Sequence, residues 1–232
     1  MHPSASPSEP RDRRRSPSRS SPRSSKSSAV PTKSDIAAVV LAAGASRRFG
    51  EANKLLARIE GRTLIERVVD AVEAGGVGDI VVVTGWDRET VEETLRGRGL
   101  RFAHSERWED GMGASIGTGI AALDARASAA FVVPGDMPLL TAQVVAQLID
   151  AFERAGRERI VFPTTKAGEQ RNPVLWPRRH FGALLALPPA TGGKALLQLI
   201  AAECLLVPTE DATLSDVDTA TELEAARKIA QE

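Results

Sequence analysis

The chain has 232 residues, with 30 Lys/Arg balanced by 30 Asp/Glu. The balance is uneven: residues 1–34 hold eight Lys/Arg against two acids, leaving 22 basic and 28 acidic residues in the remaining body. A mildly acidic body argues against a nucleic-acid-binding domain, and the single cysteine, Cys204, excludes an intrachain disulfide or a Cys-rich zinc site.

Residues 1–34 contain 12 Ser and six Pro with almost no large apolar side chain. Such a segment cannot bury enough surface to offset its ordering entropy, so it is predicted to be a disordered basic tail. Tail and Ile36–Ala45 together have the outline of a secretory signal, but cleavage after Ala43 or Ala45 would remove the first strand and its loop. With no apolar stretch near the ~18 residues of a membrane span, the expected location is cytoplasmic. From 35 to 232 short apolar runs alternate with helical patterns. Strands are predicted at 36–41, 80–84, 100–103, 129–133, 160–162, 174–176 and 204–207. Helices are predicted at 62–74, 88–97, 113–124, 141–155, 178–187, 193–202 and 219–231. The alternation predicts one Rossmann-like three-layer α/β domain with a mostly parallel mixed sheet. His104 and His180 form no pair at ligand spacing and are expected at a strand end and a helix surface.

Ligands of open parallel sheets bind beyond the carboxyl ends of strands, so loops there are the candidates. The first run, Ile36 to Ala42, empties into Ala43-Gly44-Ala45-Ser46-Arg47-Arg48 and reaches Asn53-Lys54. Ala42, Ala43 and Gly44 let a ligand approach the backbone, and Arg47, Arg48 and Lys54 add the positive charge that a triphosphate needs. The spacing matches neither G-x-x-x-x-G-K-[ST] nor G-x-G-x-x-G. Next, Val133-Pro-Gly-Asp-Met137 delivers Asp136 at a strand end, where a carboxylate can hold Mg2+ against substrate phosphates. Thr141 is the better cap for the following helix, which leaves Asp136 free. Glycines before a helix at Gly111-Met-Gly113, with Ser115, expose N–H groups able to read a base, and Thr84-Gly85 is a weaker candidate for that pocket. Near the C-terminus, Asp216 and Asp218 precede the last helix as metal ligands, although Asp218 or Thr219 could equally cap it.

The loop Leu41-Ala42-Ala43-Gly44 with Ser46, Arg48, Gly50 and Lys54 resembles that of the MobA-like nucleotidyltransferases, and within them the molybdenum cofactor cytidylyltransferases. Gly135-Asp-Met-Pro138 is similar to the family's metal motif, and Asp216-Val-Asp-Thr219 to its second acidic motif, with Ala220 in place of proline. Gln170-Arg171-Asn172-Pro173-Val174 resembles the acceptor-side signature. The resemblance implies a nucleotidyltransferase fold and Mg2+-dependent transfer of CMP from CTP to a molybdopterin-type acceptor, with pyrophosphate released. It implies Lys54, Arg48 and Asp136 as catalytic residues, and Asp136 and Asp218 as metal ligands with Asp216 in support. Leu41, Ala42, Ala43, Gly44, Ser46, Arg47, Thr84, Gly85, Gly113 and Ser115 are expected at the nucleotide, and Arg171, Asn172 and Pro173 at the acceptor. Ala43 stands where guanylyl-transferring relatives carry glycine, which points to cytosine. The product's expected recipient is a molybdenum hydroxylase or its chaperone. Pro188-Pro-Ala-Thr-Gly-Gly193-Lys194 departs from the family by lacking an aspartate. Competing readings are guanylyl transfer, cytidylyl or uridylyl transfer to a small phosphate, and a non-catalytic carrier of the finished cofactor; intact Lys54 and Asp136 oppose the last.

Overall fold

The computed structural model describes residues 34–50 and 52–231, so the predicted tail, Ser34 apart, lies outside the described residues. The first strand, β1 (Ile36–Ala42), runs through the middle of a seven-stranded sheet between β4 (Asp79–Thr84) and β6 (Ala129–Pro134), parallel to both. Its side chains alternate between two cores. Ile36, Ala38, Val40 and Ala42 enter one, Ala37, Val39 and Ala43 the other. A strand covered on both faces has no polar side, which is why the run reads as continuously apolar.

The sheet order is β5-β4-β1-β6-β8-β7-β9, with β5 at Arg101–His104, β7 at Ile160–Thr164, β8 at Val174–Pro177 and β9 at Cys204–Pro208. Only β8 runs against its neighbours. One face carries α1 (Leu64–Ala74) and α4 (Ala142–Arg154), with Val91 of α2 (Arg88–Thr94). The other carries α3 (Met112–Ala121), α5 (Phe181–Leu185) and α6 (Gly193–Leu199). This is the expected three-layer α/β domain with a mostly parallel mixed sheet. No described helix is long and apolar enough to cross a membrane.

Three local readings change. The helix predicted from 62 starts at Leu64, because Arg62–Thr63 (β3) pairs with Arg58–Ile59 (β2) in a hairpin. Glu60 and Gly61 at its tip both have positive φ, 49° and 80°, as a type I′ turn requires. Thr63 then caps α1 reciprocally with Glu66. A third apolar cluster joins Ile59 of this hairpin, Leu64, Leu139 and Val217 to Leu223 and Ala226 of α7 (Ala220–Ile229). The helix predicted at 178–187 is a turn at Arg178–His180 followed by the short α5.

His180, expected on a helix surface, is buried edge-on to Trp176. Its Nε2 lies 3.3 Å from Glu203 Oε2 without forming a hydrogen bond. Burial and the adjacent Arg179 push its pKa down, more than Glu203 pulls it up. The unfolded chain therefore binds this proton more readily, and stability is lost as pH falls through the window below about 6.5. Thermal unfolding followed from about pH 5 to 7 is expected to show a midpoint rising with pH, and His180→Asn is expected to flatten that rise.

Candidate active site

The carboxyl ends of β1 and β6 lie side by side, with Leu41 paired to Pro134. The Gly135 N–H donates to the Leu41 carbonyl at 2.9 Å, and a Cβ on Gly135 would stand 2.8 Å from that oxygen. The close approach turns Asp136 into the space above β1. Thr141 accepts from the Val144 N–H and caps α4, so Asp136 has no capping duty.

Asp218 reaches the same point from the far end of the chain. The Val217 N–H donates to the Asp136 carbonyl at 2.9 Å, and the buried Val217 side chain is held by the third cluster. Thr219 caps α7 in a reciprocal box with Glu222, whose carboxylate also accepts from the Asp218 N–H at 2.8 Å. With the cap supplied by Thr219, the Asp218 side chain is free to face the cleft.

Lys54 sits between the two carboxylates. Its Nζ lies 2.6 Å from Asp136 Oδ2 and 2.6 Å from Asp218 Oδ1, and Arg48 reaches Asp218 Oδ2 at 2.6 Å. Arg48 is 73% exposed and screened by water, whereas Lys54 is only 13% exposed, so the lysine contacts dominate. Asn53, buried, fixes the turn that presents Lys54: its side chain accepts from the Leu55 N–H and donates to Asp87. Burial disfavours the Lys54 ammonium, but the two carboxylates outweigh it and hold its pKa above the ordinary lysine value. Asp218 is held low, since Lys54 and Arg48 exceed its own burial cost. Asp136 goes the other way: burial, with Asp216 nearby, raises its pKa despite Lys54. Its Oδ1 is buried with no partner among the described residues.

Above this cluster the loop after β1 turns sharply at Ser46, which is left-handed at φ 51°. The N–H groups of Gly44 through Arg48 meet no acceptor among the described residues, and the Ser46 hydroxyl accepts from the Lys54 N–H. Successive free amides in such a turn form an anion-binding concavity. The loop and the cluster line one cleft of about 390 Å3. It shares Leu41, Met112 and Pro134 with a second chamber of about 350 Å3.

The first cleft gathers Leu41, Ala43, Gly44, Ser46, Arg47, Arg48, Lys54, Ser115, Asp136 and Asp218 of the residues expected there. It does not gather Ala42, Thr84, Gly85 or Gly113. Ala42 faces the core, and Thr84 is buried with its hydroxyl on Glu92. Gly85 backs onto Ala43 and Trp108, and the Gly113 N–H is taken by the Pro189 carbonyl at 2.8 Å. Arg171 and Asn172 line the second chamber, while Pro173 does not. Asp216 also faces that chamber, and no three metal-type side chains gather among the described residues. Sequence reasoning passed over Asn53 as a support, Met112 on the shared wall and Lys194 in the second chamber. Asn53 and Met112 stand inside stretches singled out as motifs and Lys194 ends the divergent 188–194 segment, but only the packing of that segment on α3 gives the last two their place.

The MobA-like NTP transferase domain matches residues 38–205. The chain belongs to that family. Among curated relatives, bifunctional protein GlmU of Syntrophomonas wolfei is 33% identical over 144 residues, 60% of this chain and 30% of that protein. The chain thus spans less than a third of the length of that relative. Among solved structures, an Rv0371c homologue from Mycobacterium sp. strain JC1 superposes with a TM-score of 0.75 at 25% identity, over 87% of this chain and all of that one. Rv0371c of Mycobacterium tuberculosis, solved as a manganese complex, gives 0.69 at 21%, over 84% and 99%. CMP:2-keto-3-deoxy-manno-octonic acid synthetase complexed with CTP gives 0.67 at 17%, over 85% and 99%. The last two establish likeness of fold.

Lys54 is the counter-charge that holds the two carboxylates together. In Lys54→Met the affinity for Mn2+ alone, read by electron paramagnetic resonance titration, is expected to tighten by about tenfold, because the cation competing for both carboxylates is gone.

Proposed function

We propose that this chain catalyses Mg2+-dependent transfer of CMP from CTP to the terminal phosphate of molybdenum-loaded molybdopterin, releasing pyrophosphate. The observation that carries this reading is the Lys54–Asp136–Asp218 cluster lying beneath a loop of free amides, in a cleft that shares part of its wall with a second chamber.

The residues present fit a hard divalent cation. Two carboxylates converge, and the buried Asp136 Oδ1 has no protein partner, as expected of an oxygen whose ligand is not part of the chain. Asp136 and Asp218 would hold Mg2+, which when bound neutralises phosphate charge. The manganese complex of the Rv0371c neighbour supports a divalent metal on this fold.

The amides of Gly44 to Arg48, with the Arg47 and Arg48 side chains, would receive the β- and γ-phosphates. Lys54 lies close enough to these groups to offset charge growing at the α-phosphate. An oxygen of the acceptor phosphate attacks the α-phosphorus and the α–β P–O bond breaks, with pyrophosphate leaving. The nucleophile is already an anion, so no protein base is required. The described site accordingly places no histidine on the first cleft. Rate enhancement then comes from alignment and electrostatics.

Cytosine is favoured by Ala43, which lines the first cleft where guanylyl-transferring relatives carry glycine. That wall leaves less room for a purine than glycine would. The neighbour complexed with CTP supports a pyrimidine nucleotide on this fold. The second chamber, walled by Ile116, Met137, Trp176 and Leu184 with Gln170, Asn172 and Asp216 beside them, suits an acceptor with a flat ring that carries polar edges.

The test is pyrophosphate release by the full chain with Mg2+ and molybdenum-loaded molybdopterin, given CTP or GTP. Release with CTP alone is expected. Asp136→Ala is expected to lower kcat/KM by several kcal/mol of barrier, on the order of a thousandfold. Release with GTP alone would overturn the base assignment, and silence with both would overturn the acceptor.

A further inference from the structure

The second chamber carries its charge in an unexpected place. Arg171, the cation supplied by the recognisable acceptor-side motif, is paired with Glu169 at 2.7 Å, an exposed, water-screened pair that offsets its charge in part. Asp216 contributes a negative charge to the same chamber. Arg171 and Asp216 by themselves leave the chamber with little net attraction for an anion. Lys194 reverses this: it lines the chamber and has no carboxylate within ion-pair distance among the described residues.

The placement of Lys194 is built into the chain. Segment 188–194 is docked on α3, with the Gly113 N–H donating to the Pro189 carbonyl at 2.8 Å. It is closed on itself by the Thr191 N–H and hydroxyl, which both reach the Pro188 carbonyl. A Cβ on Gly192 would stand 3.2 Å from Met112 Sδ, and one on Gly193 would stand 3.4 Å from the Trp176 ring. The two glycines therefore let the backbone lie against the chamber wall, and the next residue is Lys194. This is the stretch that lacks the family's aspartate. Lys194 is its one ionisable side chain.

We propose that Lys194 is a specificity-determining residue of the acceptor chamber, its positive charge, held by no carboxylate of the described residues, taking an anionic group of the acceptor. The proposal rests on the acceptor reading of that chamber, and two measurements separate its failure from failure of that reading. In turnover with molybdenum-loaded molybdopterin, Lys194→Ala is expected to raise the acceptor KM about tenfold or more, as for loss of one charge-assisted hydrogen bond. The KM for CTP is expected to stay within roughly twofold, and Lys194→Arg to recover most of the loss. Independently of that acceptor, calorimetric titration at saturating CTP uses 4-methylumbelliferyl phosphate, a flat apolar ring bearing a phosphate, and its uncharged parent. The phosphate is expected to bind more tightly than the parent, and Lys194→Ala to remove that preference. Lys194-dependent binding without turnover of molybdopterin would leave the assignment standing and overturn the acceptor. Equal affinity of wild type and Lys194→Ala for the phosphate, or no preference for it over the parent in wild type, would overturn the assignment itself.

Discussion

The site depends on one electrostatic arrangement, a lysine ammonium held 2.6 Å from each of two carboxylates. Either carboxylate alone could be solvated. Two converging on one point, one of them largely buried, repel unless a cation lies between them. Lys54 supplies that charge in the free protein, and its partners lie 82 and 164 residues away in sequence. The contact therefore ties the first loop, the end of β6 and the last helix to one another. Removing Lys54 leaves two facing carboxylates uncompensated, which costs more than either pair contributes.

The rest of the fold can be read as what brings those three segments together. β1 and β6 are neighbours, and Gly135 permits the close approach that aims Asp136. The β2–β3 hairpin and α7 meet in the small third cluster, and Val217 is pinned there with its N–H on the Asp136 carbonyl. The antiparallel β8 has a separate consequence. Because it runs against the others, its start lies at the edge where they end, so Arg171 and Asn172 enter the same region as the parallel-strand loops. The two chambers are thereby adjacent along one edge of the sheet.

Family membership and cluster geometry support each other without being the same argument. The match over residues 38–205 stops before Asp216 and Asp218, so the acidic pair near the C-terminus stands on geometry. Geometry also divides that pair. Asp218 faces Lys54, whereas Asp216, two residues earlier, faces the second chamber. In extended chain, side chains two apart share a side; the buried Val217 and the start of α7 break that regularity here.

Much of this was legible in the amino-acid order. The apolar runs announced strands covered on both faces, because a strand without a polar side has nowhere to meet water. Asp136 and the loop from Leu41 to Lys54 stood out because strand ends in a parallel sheet are where backbone groups and small residues can meet a ligand. Thr141 announced its own cap, and so released Asp136. The two-residue strands of the hairpin were not legible, since their pairing depends on positive φ at Glu60 and on α7 covering Ile59. Nor was the burial of His180, or the difference between Arg171 and Lys194, because a charge's worth depends on its neighbours in space. The sequence by itself determined the layer architecture and the chemistry available at the strand ends, both of which are local. Only the tertiary structure decided which charges face one another, because Coulomb energy falls with distance through space and takes no account of distance along the chain.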